Sequence, residues 1–333
     1  MVKNRRINTN VVNVGFGRTV TTNFPIGPRI YNAVMAVKVR NVSGQIPLAS
    51  ELFQKLVLKI NGVAVRTIDF AQYETMRKGW DAGLATQAFK VVNGFDTLQP
   101  LDVTGQYEAR FFLNMHFAED FRTDYTAKVF GAMFTRWADG YQFPSVSWEV
   151  TLGSGGTTID PTFLPTVDCY LDVTQEVGPM VDPRTGLIVP ANTSGAIRQD
   201  QFMFIDQTFI PYTGTGFLAI QTPFQLRDII SEILLFPSGT DTIGSLIVER
   251  NDVRIIDDLS IANLHARYVS QGWNASELYG NNVARIAFDA DDIPTSGLVL
   301  GGAQSFLVRP RLVTVANAAS MGVVTLRLSR STI

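Results

Sequence analysis

Short runs of alternating apolar and polar residues fill the chain, separated by Gly, Pro, Asn and Asp. That pattern predicts β-strands joined by tight turns. The longest run, Ile30 to Val42, alternates most clearly from Ala36 onward and predicts a long strand. Lys55 to Ile60, the pair Asn61-Gly62 and Val63 to Ile68 predict a hairpin. Asn-Gly readily supplies the two positive-φ positions of a two-residue turn. Asp69 then suits the N-cap, and Gly79 the C-terminal stop, of a helix over Phe70 to Lys78. Tyr107 to Phe117, Ala127 to Trp137 and Ser145 to Leu152 complete the strands expected in the first half.

The second half restarts with Phe202 to Pro211, Gly216 to Gln221, Ile229 to Phe236, Ser245 to Glu249 and Val253 to Ile256. Asp257 to Tyr268 places Leu259, Ala262, Asn263 and Ala266 near helical spacing and predicts a second helix. Arg285 to Phe288, Ser305 to Val308, Leu312 to Val315 and Val323 to Leu328 follow as strands. The order of elements is thus the same in both halves. Four of five letters repeat as well: Val65-Arg66-Thr67-Ile68-Asp69 leading to Gly79-Trp80 is echoed by Val253-Arg254-Ile255-Ile256-Asp257 leading to Gly272-Trp273. The arginine-to-tryptophan spacing differs, 14 residues against 19, so the halves read as diverged copies of one domain.

About eight strands with a helix inserted after the fourth fit a jelly roll better than an immunoglobulin-like sandwich, which has about seven strands and no inserted helix. The expected class is therefore all-β, mainly β with short inserted helices: two tandem eight-stranded jelly-roll β-sandwiches. The expected boundaries are an N-terminal arm over 1–15, a first jelly roll over 16–176, a linker over 177–199 and a second jelly roll over 200–333. The Pro-, Gly- and Asp-dense stretch from Val177 to Gly195 marks the linker.

Composition supports two well-buried domains. The chain has 333 residues, of which 46% are hydrophobic and 17% charged. A net charge of −2 argues against a dedicated nucleic-acid binder. No lysine follows Lys128, and the remaining cations are arginines, which tolerate interfaces well. A single cysteine, Cys169, excludes an internal disulfide framework. No apolar run has the length of a membrane-spanning helix, and no apolar core follows the basic start Met1 to Arg6, so no signal peptide is expected.

Candidate chemistry is sparse. His116 and His265 are the only histidines, one per half, too few for an imidazole metal cluster in either jelly roll. Each reads as an ordinary satisfied residue, and Cys169 as a buried thiol. Glu119-Asp120 and Asp289-Ala290-Asp291-Asp292 are the acidic groups to weigh for glycan cleavage or for a hard cation. The second lacks the glycine and terminal glutamate of a calcium loop. Gly15-Phe16-Gly17-Arg18 has no following lysine and reads as a bend, not a phosphate loop. No catalytic residue, metal or cofactor is expected. Lys3, Arg5 and Arg6 form a basic arm that suits a neighbouring subunit or lipid headgroups.

Several segments carry a resemblance. They are Phe24-Pro25-Ile26-Gly27-Pro28 with Tyr31, the hairpin from Leu56 to Gly62, the helix from Asp69 to Trp80, Leu113 to Phe117, and Ser147 to Val150. Over roughly residues 16 to 152 these resemble the double jelly-roll major capsid proteins of tailless, internal-membrane-containing icosahedral bacteriophages. Over residues 200 to 333 the resemblance rests on the repeated layout. It implies a virion structural protein forming pseudo-hexagonal homotrimeric capsomers that tile a shell over an internal membrane. The implied partners are other copies of the chain, penton and minor capsid proteins, and that membrane, with assembly in the host cytoplasm and no specific nucleic acid. The rival readings are a glycan-active hydrolase or glycan-binding protein built from two jelly rolls, and a virion spike or accessory protein.

Overall fold

A computed structural model describes residues 5–41, 49–73, 75, 99–100, 107–117, 132–155, 158–182, 184–189, 197–198, 202–221, 228–270, 282–288, 297–316 and 319–329. The chain forms two compact units. The first contains Met1–Phe70 and Val91–Phe202, with Arg330–Ile333; the second contains Ala71–Lys90 and Met203–Ser329.

In the first unit, one sheet runs in the order Arg5–Thr9, Thr166–Thr174, Arg29–Asn41, Tyr107–His116, all antiparallel. The other runs Thr19–Asn23, Val146–Leu152, Phe53–Ile60, Val63–Asp69, again antiparallel. Alternation puts Val146, Trp148, Val150 and Leu152 inward and Ser147, Glu149 and Thr151 outward. The sheets meet through side chains such as Phe53 and Phe111, whose rings pack edge to face at 5.6 Å. Trp148 is fully buried.

The second unit repeats this arrangement strand for strand. Its first sheet runs Phe202–Tyr212, Ala319–Ser329, Ile229–Phe236, Ala284–Ala287. Its second runs from the short edge strands Gly216–Phe217 and Ile220–Gln221 through Phe306–Thr314 and Thr242–Arg250 to Val253–Ser260. Ile233 and Leu235 from one sheet and Leu246, Val248, Phe306 and Val308 from the other share one core. Among the described residues, each unit therefore has the same eight antiparallel strand positions with one connectivity, flanked by shorter pairings, and a helix follows the second hairpin strand in both.

The duplication is one of topology, and the Val-Arg-x-Ile-Asp echo is not its register. Pairing outward from the hairpin turns sets Val63 opposite Ile60 and Val253 opposite Arg250. Val63 therefore corresponds to Val253, two positions ahead of Val65, the first letter of the echo.

Other expectations change in the structure. Residues 5–12 of the expected arm are strand: Arg5–Thr9 pairs with one sheet, and Val11–Val12 pairs with the edge of the other. The expected linker contains a small antiparallel sheet of Ile188–Val189, Met180–Val181 and Ile197–Arg198, with Met180 and Val181 buried. In the Ala127 to Trp137 segment, strand is confined to Met133–Phe134 among the described residues, followed by isolated bridges from Arg136 to Gln142 and Trp137 to Gly178.

The second helix is Ile261–Ser270, so Asp257 lies in the preceding strand. Leu259 pairs with Leu246 and Ser260 with Ser245, which extends the ladder past the expected start. Ser260 is the cap: its Oγ accepts the Asn263 N–H at 3.3 Å. The buried face of that helix carries Leu264 and His265, whereas Ala262, Asn263 and Ala266 are exposed. Phe306–Thr314 is one strand where two were expected, despite Pro310. Pro310 accepts the Leu218 N–H through its carbonyl, so its missing donor faces the same edge. That edge strand is interrupted between Phe217 and Ile220, and no ladder bond is lost there.

Candidate assembly surface

The expected chemical residues do not converge. His265 is buried in its helix, and its Nε2 accepts the Arg285 backbone N–H at 3.2 Å. Burial, helped by the Arg285 charge, lowers its pKa to about 4, so the ring is a neutral acceptor. Cys169 lies in the Thr166–Thr174 strand, nearly inaccessible, and burial pushes its thiol pKa up. His116 ends the Tyr107–His116 strand. Gly15 to Arg18 form a bend in which Gly17 has φ 66 and donates to the Gly153 carbonyl. Lys3, Glu119, Asp120 and Asp289 to Asp292 lie outside the described residues. Among the described residues no group of three His, Cys, Asp or Glu side chains is placed to hold a metal ion.

Arginines and exposed apolar side chains are arranged more systematically. Arg6, on the edge strand, meets Asp172 through Nε at 2.9 Å and Nη2 at 3.3 Å, and lies over the Tyr170 ring at 5.4 Å. The bond to Asp172 raises its pKa. Arg29 stacks on Tyr31 and Phe134 while bonding Glu176 at 2.6 Å. Arg40 covers the Phe163 ring at 3.6 Å, next to Leu164, which is 75% exposed. Arg66 lies buried over Phe117 and Phe202, at 4.8 and 4.9 Å, and burial lowers its pKa to about 9. Guanidinium groups held over rings are rigid contact elements.

In the second unit the outward side of Phe306–Thr314 carries Arg309, Arg311 and Val313. Arg309 pairs with Glu249 at 3.1 Å, and Arg254 approaches the same carboxylate at 3.7 Å. Phe217, opposite Arg311, is exposed, as is Val313. Leu187 and the strand residue Ile188 are exposed beside a tight turn whose Asp182 accepts the Arg184 N–H at 2.8 Å. Exposed apolar residues beside arginine and aromatic rings have the composition of protein interfaces. Sequence reading singled out neither Arg309, Arg311 and Val313 nor Phe217, Leu187 and Ile188 as a surface. Alternation identifies the phase that faces the core, but not what the other phase faces.

No protein-family model matches the sequence, and comparison with curated proteins finds no match. Solved structures do match over nearly the whole chain. The major capsid protein P2 of bacteriophage PM2 superposes with a TM-score of 0.65 at 12% identity, over 98% of this chain and 97% of that one. The PBCV-1 virus capsid gives 0.60 at 12% identity, over 98% and 95%. The faustovirus major capsid protein gives 0.55 at 8% identity, over 98% and 89%. The fold is the double jelly roll. A fold does not decide a function by itself; function lies in particular residues and surfaces.

Proposed function

We propose that this chain is the major capsid protein of an icosahedral virus and acts as a structural subunit, not an enzyme. The observation that carries this reading is agreement over almost the full length of both chains with capsid proteins, including the pairing of two jelly rolls. The surface chemistry supports it, because stacked arginines and exposed apolar residues suit contact with other copies. Three copies of a chain with two similar units present six similar sandwiches. The capsomer is accordingly a homotrimer of pseudo-hexagonal outline, and such outlines tile a closed shell.

The finer reading is that of a bacteriophage assembled in the host cytoplasm, with an internal membrane beneath the shell. Penton and minor capsid proteins complete that shell, and the basic segment with Lys3, Arg5 and Arg6 lies against a neighbouring subunit or lipid. Electron microscopy of the concentrated protein tests the capsid reading. Hexagonal sheets or closed shells are the expected result. Dispersed single chains under every assembly condition, or hydrolysis of glycans by the purified protein, would overturn it.

A further inference from the structure

The two units place a strand in the same position, at the edge beside Thr166–Thr174 in the first and beside Ala319–Ser329 in the second. The second unit anchors its copy. Phe202–Tyr212 spans eleven residues, buries Phe204 and Tyr212, and joins its neighbour through Asp206, which accepts from Arg327 Nε at 2.5 Å. The first unit does not anchor its copy. Arg5–Thr9 spans five residues, none of them buried.

Among the described residues, two kinds of contact hold Arg5–Thr9 beyond the backbone ladder. Arg6, with 63% of its side chain exposed, reaches Asp172 and Tyr170. Thr9 shares a 2.7 Å hydroxyl contact with Thr22 and donates to the Cys169 carbonyl at 3.2 Å. An exposed ion pair contributes only about 0.2–1 kcal/mol. Ordering five residues of backbone costs roughly 1–2 kcal/mol per residue. With only Ile7 partly covered to offset that cost, this strand belongs to the least stable part of the unit.

We infer that Arg5–Thr9 is an exchangeable strand: on assembly it leaves its own Thr166–Thr174 edge and pairs with the same edge of a second copy. This rests on the capsid reading above and gives it a specific contact. The bare edge is complementary to this sequence in the register seen here, Arg5 opposite Val173 through Thr9 opposite Cys169. An identical strand from another copy therefore satisfies the same backbone groups, as in other strand exchanges between identical chains. Residues 10–13 form the hinge, with Asn13 at φ 59, and exchange requires the short Val11–Val12 pairing with Thr21 and Thr22 to open as well.

Cys169 is the only cysteine, so Thr9→Cys creates one possible disulfide across the Thr9–Cys169 pair. The variant is oxidised mildly, either as dispersed chains or after assembly, and run on non-reducing denaturing gels. Dispersed chains should give an internal bond and a monomer band, whereas assembled protein should give dimers and higher ladders. Assembled protein that yields only internally bonded monomers overturns the exchange while leaving the capsid reading intact. Protein that never assembles overturns both.

A second measurement uses the wild-type chain. Alkylation of Cys169 should proceed by local opening, with a rate nearly independent of low urea and raised several-fold by Arg6→Ala. Labelling that requires global unfolding, with its full urea dependence and no response to Arg6→Ala, also overturns the inference.

Discussion

Asn61 and Asn251 do the same work in the two units. Each takes a positive φ, 52 and 49, at the hairpin turn. Each donates its backbone N–H to the serine before the returning strand, Ser145 at 2.9 Å and Ser305 at 3.0 Å. Each also accepts that serine's N–H through Oδ1, at 3.4 and 3.2 Å, and Asn251 accepts from Gln304 at 2.7 Å as well. Asparagine suits the site because its short side chain tolerates the left-handed conformation while bonding a nearby backbone group.

Replacing these clamps tests their role. Asn251→Ala should destabilise the second unit by roughly 2 kcal/mol, combining left-handed strain with lost hydrogen bonds. Asn61→Ala should cost the first unit less, about 1 kcal/mol, because one of its contacts is long. Urea unfolding followed with a probe in each unit checks both, and the reverse order of losses would contradict the geometry.

Much of this architecture was legible because the signals are local. Asn61-Gly62 announces its turn through residues that accept positive φ, and the apolar run Ile229 to Phe236 matches the observed strand at both ends. Failures came where distant partners decided. Asp257 is a good cap by itself, yet pairing of Leu246 with Leu259 carried the strand past it to Ser260. Pro310 looked like a break because nothing nearby in sequence shows that its missing donor faces a gap at Leu218. The arginine stacks were illegible for the same reason: Phe163 lies far in sequence from Arg40, and Phe217 from Arg311.

The second unit contains a buried ion pair, Arg285 Nε with Glu232 Oε1, both nearly inaccessible. Removing one partner leaves a buried charge. Glu232→Ala should therefore cost about 3–5 kcal/mol in urea unfolding, and Glu232→Leu with Arg285→Met should recover most of it. A double variant no more stable than the single one would show that the pair does more than satisfy itself.

His265 predicts an acid-sensitive contribution. Unfolded imidazole titrates near 6.5, whereas burial and then the Arg285 charge hold the folded ring near 4. Between those values the unfolded chain binds more protons, so stability rises with pH there. The contribution is complete above about pH 6.5 and is lost as pH falls toward 4, amounting to no more than about 3 kcal/mol. His265→Gln supplies an uncharged acceptor and should flatten stability across that window. An unchanged pH profile would remove His265 as its source.

Gly178 donates its N–H to the Arg136 carbonyl and runs against the Trp137 ring, which also packs on Phe143 at 4.9 Å. A β-carbon at 178 would lie 2.7 Å from that ring. Gly178→Ala should therefore cost about 1–3 kcal/mol through overpacking and shift tryptophan fluorescence. Wild-type stability and emission would mean that the aromatic cluster yields freely.

The proposed capsomer is built from three chains of two jelly rolls each. The mass of the purified protein in solution, by sedimentation equilibrium, tests it most directly. A stable species of three times 36.7 kDa, persisting on dilution and growing into sheets or shells when concentrated, is the expected result. A species of 36.7 kDa at every concentration would contradict the account.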